Sequence, residues 1–267
     1  MTTPHLHWIK QGQGPVVVLS HALGCDVSMW DGVAEILQAR FTVLRYDHRG
    51  HGKSEAVPGP YSLDMLADDV AGIIRAQAAG PVHFVGLSMG GMTGQALAAR
   101  HPELLSSLVI ANSAMVYDEA ARAMWTARVG TVLAQGVAVI ADGAMQRWFT
   151  PAFRADAAGG GMQCVAALRA QLERTDAPAY AASCAAVSAI DFRASNPAIR
   201  CPTLVIAGTL DEATPVVMSD AIAQSIPGAQ LRSLPAAHLS AVEQPAAFAA
   251  LLQEFISGLP PVAGAQP

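Results

Sequence analysis

The 267-residue chain reads as an α/β fold: a mostly parallel sheet flanked by helices, with an all-helical cap inserted late in the sheet. Three observations predict it. Short apolar runs alternate with helical periodicity as far as Ala111, the pattern of parallel strands covered on both faces. That rhythm breaks between about Tyr117 and Ser188, where the sequence is Ala-rich and helical with no convincing strand. It then resumes at Thr203. On this reading residues 1–116 and 189–258 form the core, 117–188 the cap, and 259–267 a flexible Pro/Gly/Ala-rich tail.

The elements follow in order. Leu6–Lys10 and Val16–Ser20 are expected as strands around the turn Gln11-Gly12-Gln13-Gly14-Pro15. Trp30–Arg40 has helical periodicity, and Phe41–Tyr46 is an apolar strand. The loop Asp47-His48-Arg49-Gly50-His51-Gly52-Lys53-Ser54 comes next. Its spacing does not fit the phosphate-binding pattern G-x-x-x-x-G-K-[ST], so its glycines read as turn residues at positive φ. Tyr61–Ala79 is amphipathic, with Ser62 as its N-cap. Val82–Val85 is a buried strand, Met89–Arg100 a helix ended by His101-Pro102, and Ser107–Ala111 a strand. Gly159-Gly160-Gly161 reads as a loop between cap helices. After the cap come the strand Thr203–Ala207, the helix Val216–Ser225, the strand Gln230–Leu234 and the closing helix Gln244–Ile256.

Composition narrows the function. Hydrophobic residues make up 52% of the chain, enough for a sizeable core and against global disorder. The net charge of −5 comes without runs of either sign, so no nucleic-acid surface is expected. Cys25, Cys164, Cys184 and Cys201 show no metal or disulfide spacing and read as buried thiols of a reducing compartment. The first ten residues lack a signal pattern and no stretch is long and apolar enough to span a bilayer. The expectation is a soluble cytoplasmic protein with no membrane partner; oligomeric state is not legible.

The chemistry centres on Gly86-Leu87-Ser88-Met89-Gly90. G-x-S-x-G between a strand and a helix is a nucleophile elbow, a sharp turn that lifts a serine hydroxyl above the sheet edge. A serine needs a base, and the base an orienting acid; on this architecture the order is Ser, acid, His. Downstream of Ser88 stand His101, which caps the elbow helix away from the loops, and His238, which follows the last strand. His238 is therefore the base. Asp211, on the turn after Thr203–Ala207, is the acid, with an N-cap of the next helix as its bland role; Asp220 lies inside that helix and Asp191 at the cap's exit. The oxyanion formed on attack needs two N–H donors, expected from the backbone of Met89 and of Leu23. No metal or organic cofactor is required.

The elbow, the Ser-His-Asp set and the loop Arg49-Gly50-His51-Gly52-Lys53-Ser54 resemble the α/β-hydrolase family. More narrowly the chain resembles the 3-oxoadipate enol-lactonases of protocatechuate and catechol breakdown. The matching pieces are 44–52, 59–62, 83–92, Arg147-Trp148-Phe149-Thr150 and Ala236-Ala237-His238-Leu239-Ser240, within about Trp8 to Gly258. One departure is His21-Ala22, where many relatives have His-Gly. The resemblance implies hydrolysis of a small enol-lactone bearing a carboxymethyl group. Such a carboxylate calls for an arginine fork. Arg128 is expected to hold it, with Trp125 one turn earlier on the same helix face and Trp148 of the cap piece also lining the pocket. A solvated Arg128 and a packing Trp125 are the alternative. So, for the whole chain, are a general carboxylesterase or carbon–carbon bond hydrolase, and a non-catalytic ligand receptor. A haloalkane dehalogenase would need a carboxylate where Ser88 stands.

Overall fold

A computed structural model describes residues 4–259. Seven strands form one sheet: β1 (Trp8–Gln11), β2 (Val16–Ser20), β3 (Thr42–Tyr46), β4 (Val82–Leu87), β5 (Leu105–Ala111), β6 (Thr203–Gly208) and β7 (Gln230–Leu234). Their spatial order is β1-β3-β2-β4-β5-β6-β7. Only the β1–β3 pairing is antiparallel. The α/β expectation is met. The central strands β3, β4 and β6 are buried along their whole length, whereas the edge strands β1 and β7 are largely exposed. Continuous apolar runs in the middle and mixed sequence at the edges follow from helices covering both faces.

The helices are α1 (Asp31–Leu37), α2 (Leu63–Gln77), α3 (Met89–Arg100), α4 (Glu119–Gln135), α5 (Ala141–Trp148), α6 (Pro151–Ala155), α7 (Gly161–Glu173), α8 (Ala177–Ser188), α9 (Val216–Ser225), α10 (Ser240–Glu243) and α11 (Pro245–Ser257). Ser62 caps α2, its hydroxyl accepting from the Met65 N–H at 3.2 Å. The stripe Leu63, Leu66, Ala67, Val70 and Ile74 is buried, the i, i+3, i+4 spacing of a helix lying on a sheet. Five helices, α4 to α8, lie between β5 and β6, and no strand interrupts them.

Several boundaries differ from the sequence reading. The first strand begins at Trp8 rather than Leu6. The expected helix over Trp30–Arg40 is a 3-10 turn, Val27–Trp30, capped by Asp26, followed by the shorter α1. The elbow strand continues through Gly86 and Leu87 because both still pair with β5. In the loop after β3, Gly50 and Gly52 do adopt positive φ, and Arg49 grips Asp69 of α2 at 2.6 and 2.7 Å. That loop is a fastened corner. All four cysteines are free, but only Cys25 and Cys184 are buried; Cys164 and Cys201 are partly exposed. Among the described residues no helix is long and apolar enough to cross a membrane. The expected tail lies, beyond Leu259, outside the described residues.

The chain runs from β2 to β3 on one side and returns to β4 on the other. Loops leaving β2 and β4 therefore diverge, and such a switch point is where open α/β sheets place ligands.

Candidate active site

Ser88 sits at that point, between β4 and α3, with φ 56° and ψ −116°. A non-glycine residue there is strained, and the surroundings hold it. Its N–H donates to the Ala111 carbonyl at 2.9 Å, and its own carbonyl accepts from Ser113 Oγ at 2.9 Å. The motif glycines serve close approach rather than positive φ. A Cβ on Gly86 would lie 2.0 Å from the Gly90 oxygen, and one on Gly90 would lie 2.1 Å from the Ser20 oxygen.

Asp211 and His238 meet on the loops after β6 and β7. His238 Nδ1 is 2.9 Å from Asp211 Oδ2. The same oxygen accepts from Thr214 Oγ1 at 2.7 Å and Asn112 Nδ2 at 3.0 Å. The other, Oδ1, accepts from the N–H groups of Ala213 and Thr214 at 2.8 and 2.9 Å. Burial would raise the carboxyl's pKa, but His238 and these donors outweigh it and hold it at about 2. Asp211 is therefore an ionised acceptor fixed from both sides. It does not cap α9, whose N-cap is Pro215. Ser88 and His238 line one cavity of about 380 Å³, although no hydrogen bond joins their side chains in this state. Such contacts often close only when substrate arrives.

Leu23 lines the same cavity, and Met89 is the buried first residue of α3, where helix N–H groups lack internal acceptors. The Leu23 peptide is pinned from behind. Ala22 O is 2.7 Å from His21 Nδ1 and accepts from the Cys25 N–H at 3.1 Å. His21 Nε2 accepts from the His48 N–H at 2.9 Å, which places the ring's proton on Nδ1. Because a trans peptide carries its N–H opposite its C=O, the Leu23 N–H faces away from His21. Alanine in place of the usual glycine costs this loop nothing, since the left-handed residue is Gly24, at φ 78°.

The helical block supplies the remaining wall. Trp125, Arg128 and Trp148 all line the cavity, and the Arg128 guanidinium lies 4.8 Å from the Trp125 ring centre. Sequence reasoning leads to these three residues but misses Arg147, Tyr117, Tyr180 and Glu212, which line the cavity too. Arg147 does carry a signal, its place in the Arg147-Trp148-Phe149-Thr150 piece. Asn112 is also missed. It has φ 45° and ties Asp211, Ala237 O and Ser240 together. Its only signal is a polar residue just past a buried strand.

The strained Ser88 turn after β4 and the Asp211–His238 pair beyond β6 and β7 lie within a chain that is similar to known proteins over most of its length. The model of the α/β-hydrolase fold matches residues 15–135. The 3-oxoadipate enol-lactonase 2 of Acinetobacter baylyi is 38% identical over 89% of this chain and 87% of its own. The chain belongs to the α/β-hydrolase family. This hydrolase is also 32% identical to 3-oxoadipate enol-lactonase 1 of the same organism, over 92% of this chain and 90% of the relative. The crystal structure of the enol-lactonase from Burkholderia xenovorans LB400 superposes with a TM-score of 0.90 at 36% identity, covering 95% of this chain and 97% of that one.

Proposed function

We propose that this hydrolase opens 3-oxoadipate enol-lactone (4-carboxymethylbut-3-en-4-olide) with water to give 3-oxoadipate, in the breakdown of aromatic compounds in the cytoplasm. The observation that carries the reading is one cavity lined by Ser88 and His238 on the strand-end side and by Arg128 on the helical side. The choice of substrate is supported by the similarity to the enol-lactonases. In this reading residues 117–188 act as a cap that closes over the ring and holds its carboxylate through Arg128, beside Trp125 and Trp148.

His238 takes the Ser88 proton as Oγ attacks the lactone carbonyl. Negative charge on the carbonyl oxygen is met by the N–H groups of Leu23 and Met89, and Asp211 stabilises the imidazolium. Collapse breaks the ring C–O bond, and His238 returns the proton to the departing enol oxygen. The leaving group remains tethered to the acyl chain and relaxes to a ketone, which opposes re-closure. Water then attacks the acyl-enzyme with His238 again as base, releasing the second carboxylate and restoring Ser88. The steps need no metal or organic cofactor.

The test is turnover of the lactone beside phenyl acetate, for wild type and Ser88→Ala. The expected result is a strong preference for the lactone, with a loss in Ser88→Ala on the order of 10⁴- to 10⁶-fold in kcat. Turnover of phenyl acetate alone would keep the Ser-His-Asp mechanism and discard the lactone in favour of a general esterase or carbon–carbon bond hydrolase. No turnover of either would favour a ligand receptor.

A further inference from the structure

Arg128 on α4 and Arg147 on α5 face the cavity from two different helices. Several arginines of the chain are neutralised by acids, whereas, among the described residues, Arg40, Arg122, Arg154, Arg174, Arg200 and Arg232 have none within 4.0 Å but do not line this cavity. Arg45 pairs with Asp31, Arg49 with Asp69, Arg169 with Asp142 and Glu173, and Arg193 with Asp191. Among the described residues neither cavity arginine has a carboxylate within 4.0 Å, although both are only partly exposed. Glu212 is the one acidic residue on the lining, and it lies beyond ion-pair distance of both.

We propose that Arg147 and Arg128 together form a two-arginine seat for the carboxylate of the substrate, and that Arg147 thereby sets a preference for anionic over neutral esters. The proposal rests on the reading that this cavity is where the ester bond is cut. Two like charges turned into one half-buried space are unfavourable while it is empty. Burial lowers the Arg147 pKa, and the nearby Arg128 charge lowers it further, so the mutual repulsion is felt. An arriving carboxylate reverses the sign of that interaction for both guanidinium groups at once. The rest of the wall suits a small anion with an apolar body: the Trp125 ring lies under the Arg128 guanidinium, Trp148 follows Arg147 in the chain, and the buried Tyr180 lines the same cavity.

Adipate is the probe, a six-carbon dicarboxylate that offers one carboxylate to the arginines and the other to the Leu23 and Met89 donors. Its binding is measured by calorimetry and thermal shift for wild type, Arg128→Met, Arg147→Met and the double variant. Each single substitution is expected to raise Kd about 10-fold or more. The double variant should lose less than the product of the singles, because both groups serve one carboxylate. Arg147→Lys, which keeps the charge without the fork, should fall between. Ligand-free Arg147→Met should melt no lower than wild type. In turnover, Arg147→Met should lower the lactone-to-phenyl-acetate ratio of kcat/KM by about 10-fold or more.

Adipate binding unchanged in Arg147→Met overturns the seat, as does equal loss on both esters, or no saturable binding of adipate to wild type. The two readings fail separately. If wild type turns over the lactone while adipate ignores Arg147, only the seat falls. If adipate depends on Arg147 but the lactone is not hydrolysed, the seat stands and the lactone reading goes.

Discussion

On the strand-end side of the cavity each proposed reacting group is held by backbone and hydrogen bonds with little freedom. Ser88 sits in a strained turn that tolerates no Cβ at Gly86 or Gly90, and the Asp211 carboxylate accepts five hydrogen-bond contacts at two oxygens. The helical side offers side chains with few protein partners: two arginines without carboxylates, and α4, whose only buried residue is Val132. In the proposed reaction one wall is finished before substrate arrives and the other is completed by it. Chemistry needs preorganisation, whereas selectivity needs a group whose best partner is the ligand.

The largest effect that separates the walls should come from acid. His21, His48 and His51 are buried within the loops that follow β2 and β3, and burial is the main cause that keeps each neutral. The pKa falls to about 4 for His21 and about 3 for His51. The unfolded chain takes up these protons below about pH 6.5, while the folded chain does not. Stability is therefore complete above that pH and falls as pH drops toward 4. Each histidine contributes up to about 1.4 kcal/mol per pH unit, so three give roughly 4. Asp211 works in a lower window, since its depressed pKa makes a contribution lost only as pH falls from about 3.9 toward 2. Urea unfolding across this range should show a steep fall beginning near 6.5. A flat profile down to pH 4.5 would mean the histidines do not restrain this wall. The helical block holds no histidine.

Next in size is Asp211→Asn, which keeps the shape but no longer orients and compensates His238. A loss of about 10⁴-fold in kcat is expected, with little change in KM. A loss below tenfold would leave Asp211 as a mere loop staple. On the opposite wall, Arg128→Ala should invert that signature: KM for the lactone rises about 10- to 100-fold, kcat changes little, and phenyl acetate is affected much less. Equal loss on both esters would erase the division between the walls.

The same contrast governs how much of each wall is legible in the amino-acid sequence. Strand-end residues are legible because their positions are topological. A serine between a strand and a helix, an aspartate after the next-to-last strand and a histidine after the last need only element order. The helical block offers no such frame. Its periodicity is weak, since α4 and α8 carry small residues on all sides, and which arginine turns inward depends on how five helices pack. Arg147 is therefore one of several equal candidates in the sequence, while Arg128 is reached through its spacing from Trp125. Asn112 escapes for another reason: its partners Asp211 and Ser240 are 99 and 128 residues away, and its one local mark, a polar residue just past a buried strand, does not say what it binds.

Asn112 gives the smallest and most discriminating test. Its amide donates to Asp211 at 3.0 Å and to the Ala237 carbonyl at 3.3 Å, and its oxygen accepts from Ser240 Oγ at 2.5 Å. It thus ties the loop bearing the acid to the loop bearing the base, from a backbone position at positive φ. Asn112→Ala should lower kcat about tenfold, the scale of one charge-assisted hydrogen bond, and leave KM for the lactone near its wild-type value. It should also lower Tm, because alanine resists this backbone conformation. Asn112→Gly removes the amide but accepts positive φ. If the hydrogen bonds aim the acid, glycine should recover Tm without recovering kcat. Recovery of both would show that backbone strain, and not the amide, is what matters at this position. The strand-end wall would then be rigid through its turns alone, with the polar bridge between its loops incidental to the reaction.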